Sequence, residues 1–128
     1  MVLPITSLYA GLLGALLVGL AALVSRQRLK GRPTDETSND ALNRAVRVHG
    51  NATEYVPIAL ILLGLLEANG APADWLHVLG GGLFLARIGH AWGLSRHSGR
   101  SPGRFVGTVV TWSAILFAAL WLIQLAWP

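Results

Sequence analysis

The chain has 128 residues, of which 53% are apolar and only 12% are charged, about half the charged fraction of an average soluble domain. This composition excludes an ordinary soluble enzyme, and the absence of cysteine excludes both disulfides and a protein thiol nucleophile. The net charge of +4 comes from basic residues in loops between apolar runs, so it indicates membrane topology, and nucleic acid is not expected as a partner.

Two apolar runs, residues 5–24 and 105–127, carry no charged side chain. Each is long enough to cross a hydrocarbon core of ~30 Å as a helix. With two more helical segments between them, the sequence predicts an all-α integral membrane four-helix bundle in which residues 1–128 form one domain.

The first predicted helix runs from Pro4 to Arg26, and proline is well tolerated in a first helical turn. Residues 1–4 carry no basic side chain, whereas a signal peptide begins with positive charge, so we interpret this helix as a retained span. The second predicted helix runs from Ala41 to Ala68, with Asn39 or Asp40 as its N-cap.

The third predicted helix runs from Ala73 to Ser95, after a turn at residues 69–72. The fourth runs from Pro102 to Trp127, with Ser101 as its N-cap. The loops before the second and fourth helices hold the basic residues Arg26, Arg28, Lys30, Arg32, Arg96 and Arg100. The loop between the second and third helices holds none, so the positive-inside rule predicts that both termini lie outside the cytoplasm.

The second helix carries polar residues on one side: Arg44, Arg47, Asn51, Glu54 and Tyr55. At ~100° per residue they fall within an arc of about 100°. A charge in the middle of a membrane costs on the order of 3 kcal/mol. The stripe therefore indicates either a functional site or a structural ion pair that locks the helices together.

The third helix offers a partner for that stripe, because Arg87 and His90 lie one turn apart on it. Arg87 is roughly 12 Å from the cytoplasmic end, and Glu54 has a similar depth. We therefore predict a buried Glu54–Arg87 ion pair. A stripe of small residues on the same helix, Gly82, Ala86, Gly89 and Gly93, predicts close packing against another helix.

The start of the fourth helix carries Arg104, where backbone N–H groups are unpaired and the helix dipole is positive. One interpretation is a membrane-boundary arginine that obeys the positive-inside rule. The other is a site for an anion, of which a thiolate is one candidate.

The segment from Arg44 to Pro57 has the pattern R-x-x-R-x-x-x-N-x-x-E, followed by Tyr55 and proline. It resembles the second-helix signature of the MAPEG family, the membrane-associated proteins of eicosanoid and glutathione metabolism. The resemblance extends over the four-helix layout and nearly the whole chain. The His-Gly-Asn form of the motif is similar to the bacterial branch, which implies a bacterial inner membrane location.

The resemblance implies a homotrimer that binds glutathione as co-substrate between neighbouring subunits, near the cytoplasmic face. The implied glutathione-binding residues are Arg44, Arg47, Asn51, Glu54, Tyr55, Arg87, His90 and one of Arg26 and Arg28. Arg104 would be the catalytic residue that stabilises the thiolate. No metal is expected. Leu94 replaces a tyrosine found in the prostaglandin-synthase branch, so an eicosanoid substrate is not expected.

The leading functional hypothesis is a glutathione transferase, with peroxidase as a second activity, acting on a lipophilic electrophile or hydroperoxide from the membrane. A non-catalytic trimer that binds glutathione or another anionic ligand is the alternative. An ion or proton carrier that uses Glu54, Arg87 and His90 is disfavoured, because residues 58–66 are wholly apolar and offer no polar path.

Overall fold

The structure, a computed structural model, describes residues 1–30, 36–96 and 101–127, although the side chains of residues 36–40 and 94–96 are not described. Four helices follow one another: α1 (Pro4–Leu29), α2 (Glu36–Ala68), α3 (Ala73–Arg96) and α4 (Pro102–Ala126). The predicted all-α architecture is confirmed. Arg32 and Arg100, which the topology prediction uses, lie outside the described residues, as do the side chains of Leu94 and Arg96.

The start of α2 differs from the prediction. The helix begins at Glu36 instead of Ala41, so the prediction of Asn39 or Asp40 as its N-cap is wrong. The apolar pattern marks only the part of a helix that lies in the membrane, and α2 continues beyond it into polar residues. The predicted cap of α4 is confirmed, since the Ser101 Oγ accepts the Arg104 N–H at 3.3 Å.

Three helical segments are long and apolar enough to cross a membrane by length and composition: Pro4–Leu29, Ala41–Ala68 and Pro102–Ala126. The remaining helix, α3, has 24 residues, or ~36 Å at 1.5 Å per residue, so its length also suffices. Its polar residues lower its hydropathy. Because α3 packs against α1, α2 and α4, its polar side chains Arg87 and His90 are covered by the bundle and not by lipid.

The bundle is built around α2 and α3, with α1 on one side and α4 on the other. The pairing of α3 with α4 is the most extensive, and among the described residues no Cα atom of α1 comes within 8 Å of one of α4. A groove on each side of the α2–α3 pair is therefore bounded by a different outer helix.

The apolar core changes in character from one end of the bundle to the other. At the end opposite the basic loops it contains Tyr9, Leu63, Leu66, Leu76 and Ala118, which come from all four helices. At the basic end the buried cluster shrinks to Leu20, Val48 and Ala52 of α1 and α2. The space beside α4 at this end is left to polar side chains.

The α3–α4 seam is lined by glycines. A Cβ on Gly107 would stand 2.6 Å from the Ala86 carbonyl oxygen and 2.8 Å from the His90 Cβ, and one on Gly103 would stand 3.0 Å from the Gly89 carbonyl oxygen. The predicted small-residue stripe on the third helix thus packs against α4. Gly82 is the exception, because a Cβ there would meet nothing within 4 Å.

At the other end of the bundle, Glu67 of α2 caps the N-terminus of α1. Its carboxylate oxygens accept the backbone N–H groups of Ile5 at 2.9 Å and Thr6 at 2.7 Å. These groups are left without partners by the helix itself. Nearby, the Tyr9 hydroxyl lies 3.1 Å from His77 Nδ1 and 3.2 Å from the His77 carbonyl oxygen. The two contacts hold α1 to α2 and α3.

We expect Glu67→Ala to lower the free energy of unfolding by about 2 kcal/mol, because two hydrogen bonds to a charged acceptor are lost. Thermal or denaturant unfolding in detergent measures this. Asp74→Asn is the matched control, since Asp74 is exposed in the first turn of α3 at the same end. It should cost less than about 1 kcal/mol. Equal losses for the two variants would contradict the capping role.

Candidate functional site

A cavity of about 690 Å³ opens at the basic end of the bundle, between α2, α3 and the start of α4. It is lined by Asn51, His90, Ser101, Pro102, Arg104, Phe105 and Thr108. Its lining includes the polar side chains of Asn51, His90, Arg104 and Thr108, whereas its rim carries Phe105, which is 72% exposed on the outer face of the bundle. The cavity thus connects these polar groups with the surface that faces lipid.

Arg87 is buried behind this cavity, with only 2% of its surface exposed. Its Nη2 donates a hydrogen bond to the Asn51 Oδ1 at 2.6 Å, while its Nε and Nη1 have no hydrogen-bond partner among the described residues. A buried guanidinium with one neutral partner keeps an uncompensated positive charge. Arg87 therefore makes this region favourable for an anion.

Glu54 and Arg87 do not form an ion pair within the chain, so that prediction is wrong. The face of α2 that points into the bundle is marked by its buried residues, Val48, Ala52, Val56 and Ala59. Glu54 lies roughly 150° from the centre of that face, whereas Asn51 lies roughly 95° from it. Asn51 consequently reaches Arg87, and Glu54 is exposed on the outer surface of the bundle.

His90 is the second buried polar side chain of the site. It is 4% exposed, and its Nδ1 has no hydrogen-bond partner in the part of the chain that the structure describes. It lies within electrostatic range of both Arg87 and Arg104. One turn separates it from Arg87 on α3, as predicted. Arg87, His90 and Arg104 thus place three basic side chains at or behind the cavity, and no described residue that lines it is acidic.

Arg104 lies in the first turn of α4 and is half-buried at the cavity. The Ser101 cap holds the beginning of the helix there. A guanidinium beside the positive end of a helix dipole adds to a positive field that attracts an anion. The unpartnered nitrogens of the buried Arg87 and His90 point to the same kind of ligand.

Tyr55 completes the polar side of the site. It is half-buried, lies within electrostatic range of Arg87, and packs its ring against Trp112 of α4 with centroids 6.3 Å apart. The structure thus brings together Asn51, Tyr55, Arg87, His90 and Arg104.

The other predicted site residues do not reach this cavity within the chain. Arg47 and Glu54 are exposed on α2, and Arg26 and Arg28 are exposed at the end of α1. Arg44 lines a different cavity, between α1, α2 and α3. No Cα atom of α1 lies within 8 Å of one of α4 among the described residues, so the described chain does not bring the end of α1 to Arg104.

Sequence reasoning missed Thr108 and Phe105, which line the cavity beside Arg104. Thr108 follows Arg104 by four residues, and residues at this spacing share one helix face. That spacing could have identified it. Phe105 gave no comparable indication, because an apolar residue in a membrane helix is ordinary.

A family model and two curated relatives each match most of the chain. The family model described as the MAPEG family matches residues 6–124. The chain is 35% identical over 117 residues to the inner membrane protein YecN of Escherichia coli strain K12, covering 91% of this chain and 88% of that protein. The same values hold for YecN of Escherichia coli O6:H1. No solved structure matches the chain.

Proposed function

The chain belongs to the MAPEG family, and we propose that it is a membrane-bound glutathione transferase with peroxidase as a second activity. The observation that carries the proposal is the cavity at the basic end, where Asn51, His90 and Arg104 meet above the buried Arg87. Glutathione is an anion with two carboxylates and a thiol. A basic cavity with amide and hydroxyl groups provides donors for such a ligand.

The thiol of glutathione is mostly protonated at neutral pH, so a transferase must favour the thiolate. Arg104 and the N-terminus of α4 would stabilise the negative sulfur, and the thiol proton would pass to solvent. The sulfur would then attack the electrophilic carbon, forming a C–S bond as the leaving group departs with its electron pair. With a hydroperoxide the sulfur would attack the outer oxygen, releasing an alcohol, and a second glutathione would displace water to give the disulfide.

The rim of the cavity supports a lipophilic second substrate. Phe105 and Pro102 are exposed at the rim, on a helix whose outer face carries Val106 and Val109, also exposed. An apolar electrophile dissolved in the bilayer would reach the sulfur from this side, while glutathione would enter from water at the end of the bundle.

The exposed charges on α2 support a homotrimer. Arg47 and Glu54 lie within the membrane-spanning part of α2, on its outward face. Each would cost on the order of 3 kcal/mol if lipid surrounded it. A neighbouring subunit that covers this face would remove the cost, and would also bring an α1 arginine, Arg26 or Arg28, towards the site. Glutathione would then bind between subunits.

We also propose that the basic end faces the cytoplasm of a bacterium, with both termini on the opposite side. The basis is the positive-inside rule applied to Arg26, Arg28 and Lys30 at the end of α1. A reporter fused after residue 127 that works only outside the cytoplasm should be active, and one that works only in the cytoplasm should be silent. The reverse pattern would refute the orientation.

Glutathione titration of the purified protein in detergent tests the function. We expect saturable binding together with thiolate absorbance at a pH where free glutathione is protonated. S-methylglutathione is the matched control, because it keeps the carboxylates but cannot form a thiolate, so it should bind without the absorbance. Binding without thiolate or turnover would favour a non-catalytic trimer, and no binding at all would refute the glutathione site.

A further inference from the structure

A second cavity, of about 440 Å³, lies at the basic end between α1, α2 and α3. It is on the other side of the α2–α3 pair from the cavity that contains Arg104, which is lined by α2, α3 and α4. We call it the α1 groove. Its size falls within the ~300–1,000 Å³ typical of sites for small ligands.

The α1 groove is amphipathic along its length. Its deep wall is formed by Leu16 and Leu20 of α1 with Val48 of α2 and Ala91 of α3. Arg44 and Gln27 lie at the end nearer the basic loops. From Leu16 to Gln27 the helix rises ~16 Å, so the apolar wall reaches well into the membrane while the polar groups remain near its surface.

The described side chains around the mouth of the groove carry positive charge. Arg44 is half-buried in the groove itself, and Arg26, Arg28 and Lys30 are exposed where α1 ends. No described residue that lines the groove is acidic. Trp92, also at the mouth, is 60% exposed, as is usual for a tryptophan at a membrane–water boundary.

We infer that the α1 groove binds one anionic phospholipid of the adjacent leaflet, with the phosphate at Arg44 and an acyl chain along the apolar wall. Basic pockets between transmembrane helices at the cytoplasmic side suit anionic head groups. A guanidinium forms paired hydrogen bonds with phosphate oxygens. The α1 groove therefore gives Arg44 a role apart from the glutathione cavity, and this role does not depend on the proposed activity.

Native mass spectrometry of the full chain, with either phosphatidylglycerol or phosphatidylcholine added to the detergent, tests the inference. We expect one retained phosphatidylglycerol per subunit and little retained phosphatidylcholine. Arg44→Gln should weaken retention of phosphatidylglycerol about fivefold or more, the change expected for one lost contact with an anionic lipid. Arg44→Lys should retain much of it.

A second variant tests the apolar wall without changing any charge. Ala91→Leu should fill the groove and lower phosphatidylglycerol retention, whereas Ala22→Leu, on the exposed side of α1, should not. Lys30→Gln is the charge control, because Lys30 is exposed and does not line the groove. If Arg44→Gln does not fold, Ala91→Leu decides the matter alone.

Three results would overturn the inference. Equal retention of the two lipids would mean that the groove does not recognise charge. Equal losses for Lys30→Gln and Arg44→Gln would mean that general surface attraction holds the lipid. If Ala91→Leu shifts the protein from oligomer to monomer with lipid retention unchanged, another copy of the chain and not a lipid occupies the groove.

Discussion

Replacing Arg104 by alanine is expected to lower transferase turnover about 100-fold at neutral pH, the scale of loss when one stabilising group for a developing anion is removed. Arg104 lines the cavity at the N-terminus of α4. In the proposed mechanism its charge would favour the thiolate of bound glutathione. Without it the pKa of the bound thiol should rise towards its free value, ~8.5 for a cysteine thiol. Thiolate absorbance against pH measures this directly.

A merely structural role for Arg104 would give a different result. If the residue acts on the thiolate, the deficit in turnover should shrink at pH values well above the free thiol pKa, and Arg104→Lys should restore part of the activity. Glutathione affinity should change less, because Asn51, His90 and Ser101 remain in the cavity. An unchanged thiolate pKa with unchanged turnover would remove Arg104 from the mechanism.

The second large effect is expected from Gly107→Ala. The added methyl group would stand 2.6 Å from the Ala86 carbonyl oxygen and 2.8 Å from the His90 Cβ. Backbone cannot move aside as a flexible side chain can, so α3 and α4 must separate. We expect the free energy of unfolding to fall by about 1–3 kcal/mol. Because His90 is displaced, glutathione binding should weaken as well.

Gly82→Ala is the matched control for this substitution. It also adds one methyl group to a helical glycine of the bundle, but nothing lies within 4 Å of the new Cβ. Alanine is the better helix former by about 1 kcal/mol, so this variant should be neutral or slightly more stable. Thermal unfolding in detergent compares the two. Similar losses for both would contradict the packing account of the α3–α4 seam.

The sequence could predict the helices because the membrane imposes their length and composition. The apolar runs located α1 and α4 to within a few residues, and Ser101 was identified as the cap of α4 from its chemistry. The beginning of α2 could not be predicted in this way. Outside the membrane no hydropathy limit applies, so nothing in the pattern distinguishes a polar extension of the helix from a loop.

The sequence pattern indicated which residues gather at the cavity but not how they pair. It singled out Asn51, Tyr55, Arg87, His90 and Arg104, which the structure brings together at one end of the bundle. Their binding of glutathione stays a prediction. The pattern assigned Arg87 the wrong partner, because residues of α2 within one ~100° arc can lie partly inside the bundle and partly on its outer surface. Which of them lie inside depends on how α2 is rotated against α3, which sequence spacing does not determine.

The short connection between α2 and α3 bears on how the protein enters the membrane. Gly70, with φ of +77°, ends α2, and the Ala71 N–H returns to the Leu66 carbonyl oxygen at 3.0 Å. The two helices can therefore be released from the translocon as a hairpin. On its own α3 does not reach the hydropathy of the three candidate spans, and Arg87 would enter lipid without a partner. In the hairpin Asn51 can accept a hydrogen bond from Arg87, so we expect α2 to assist the insertion of α3 into the membrane.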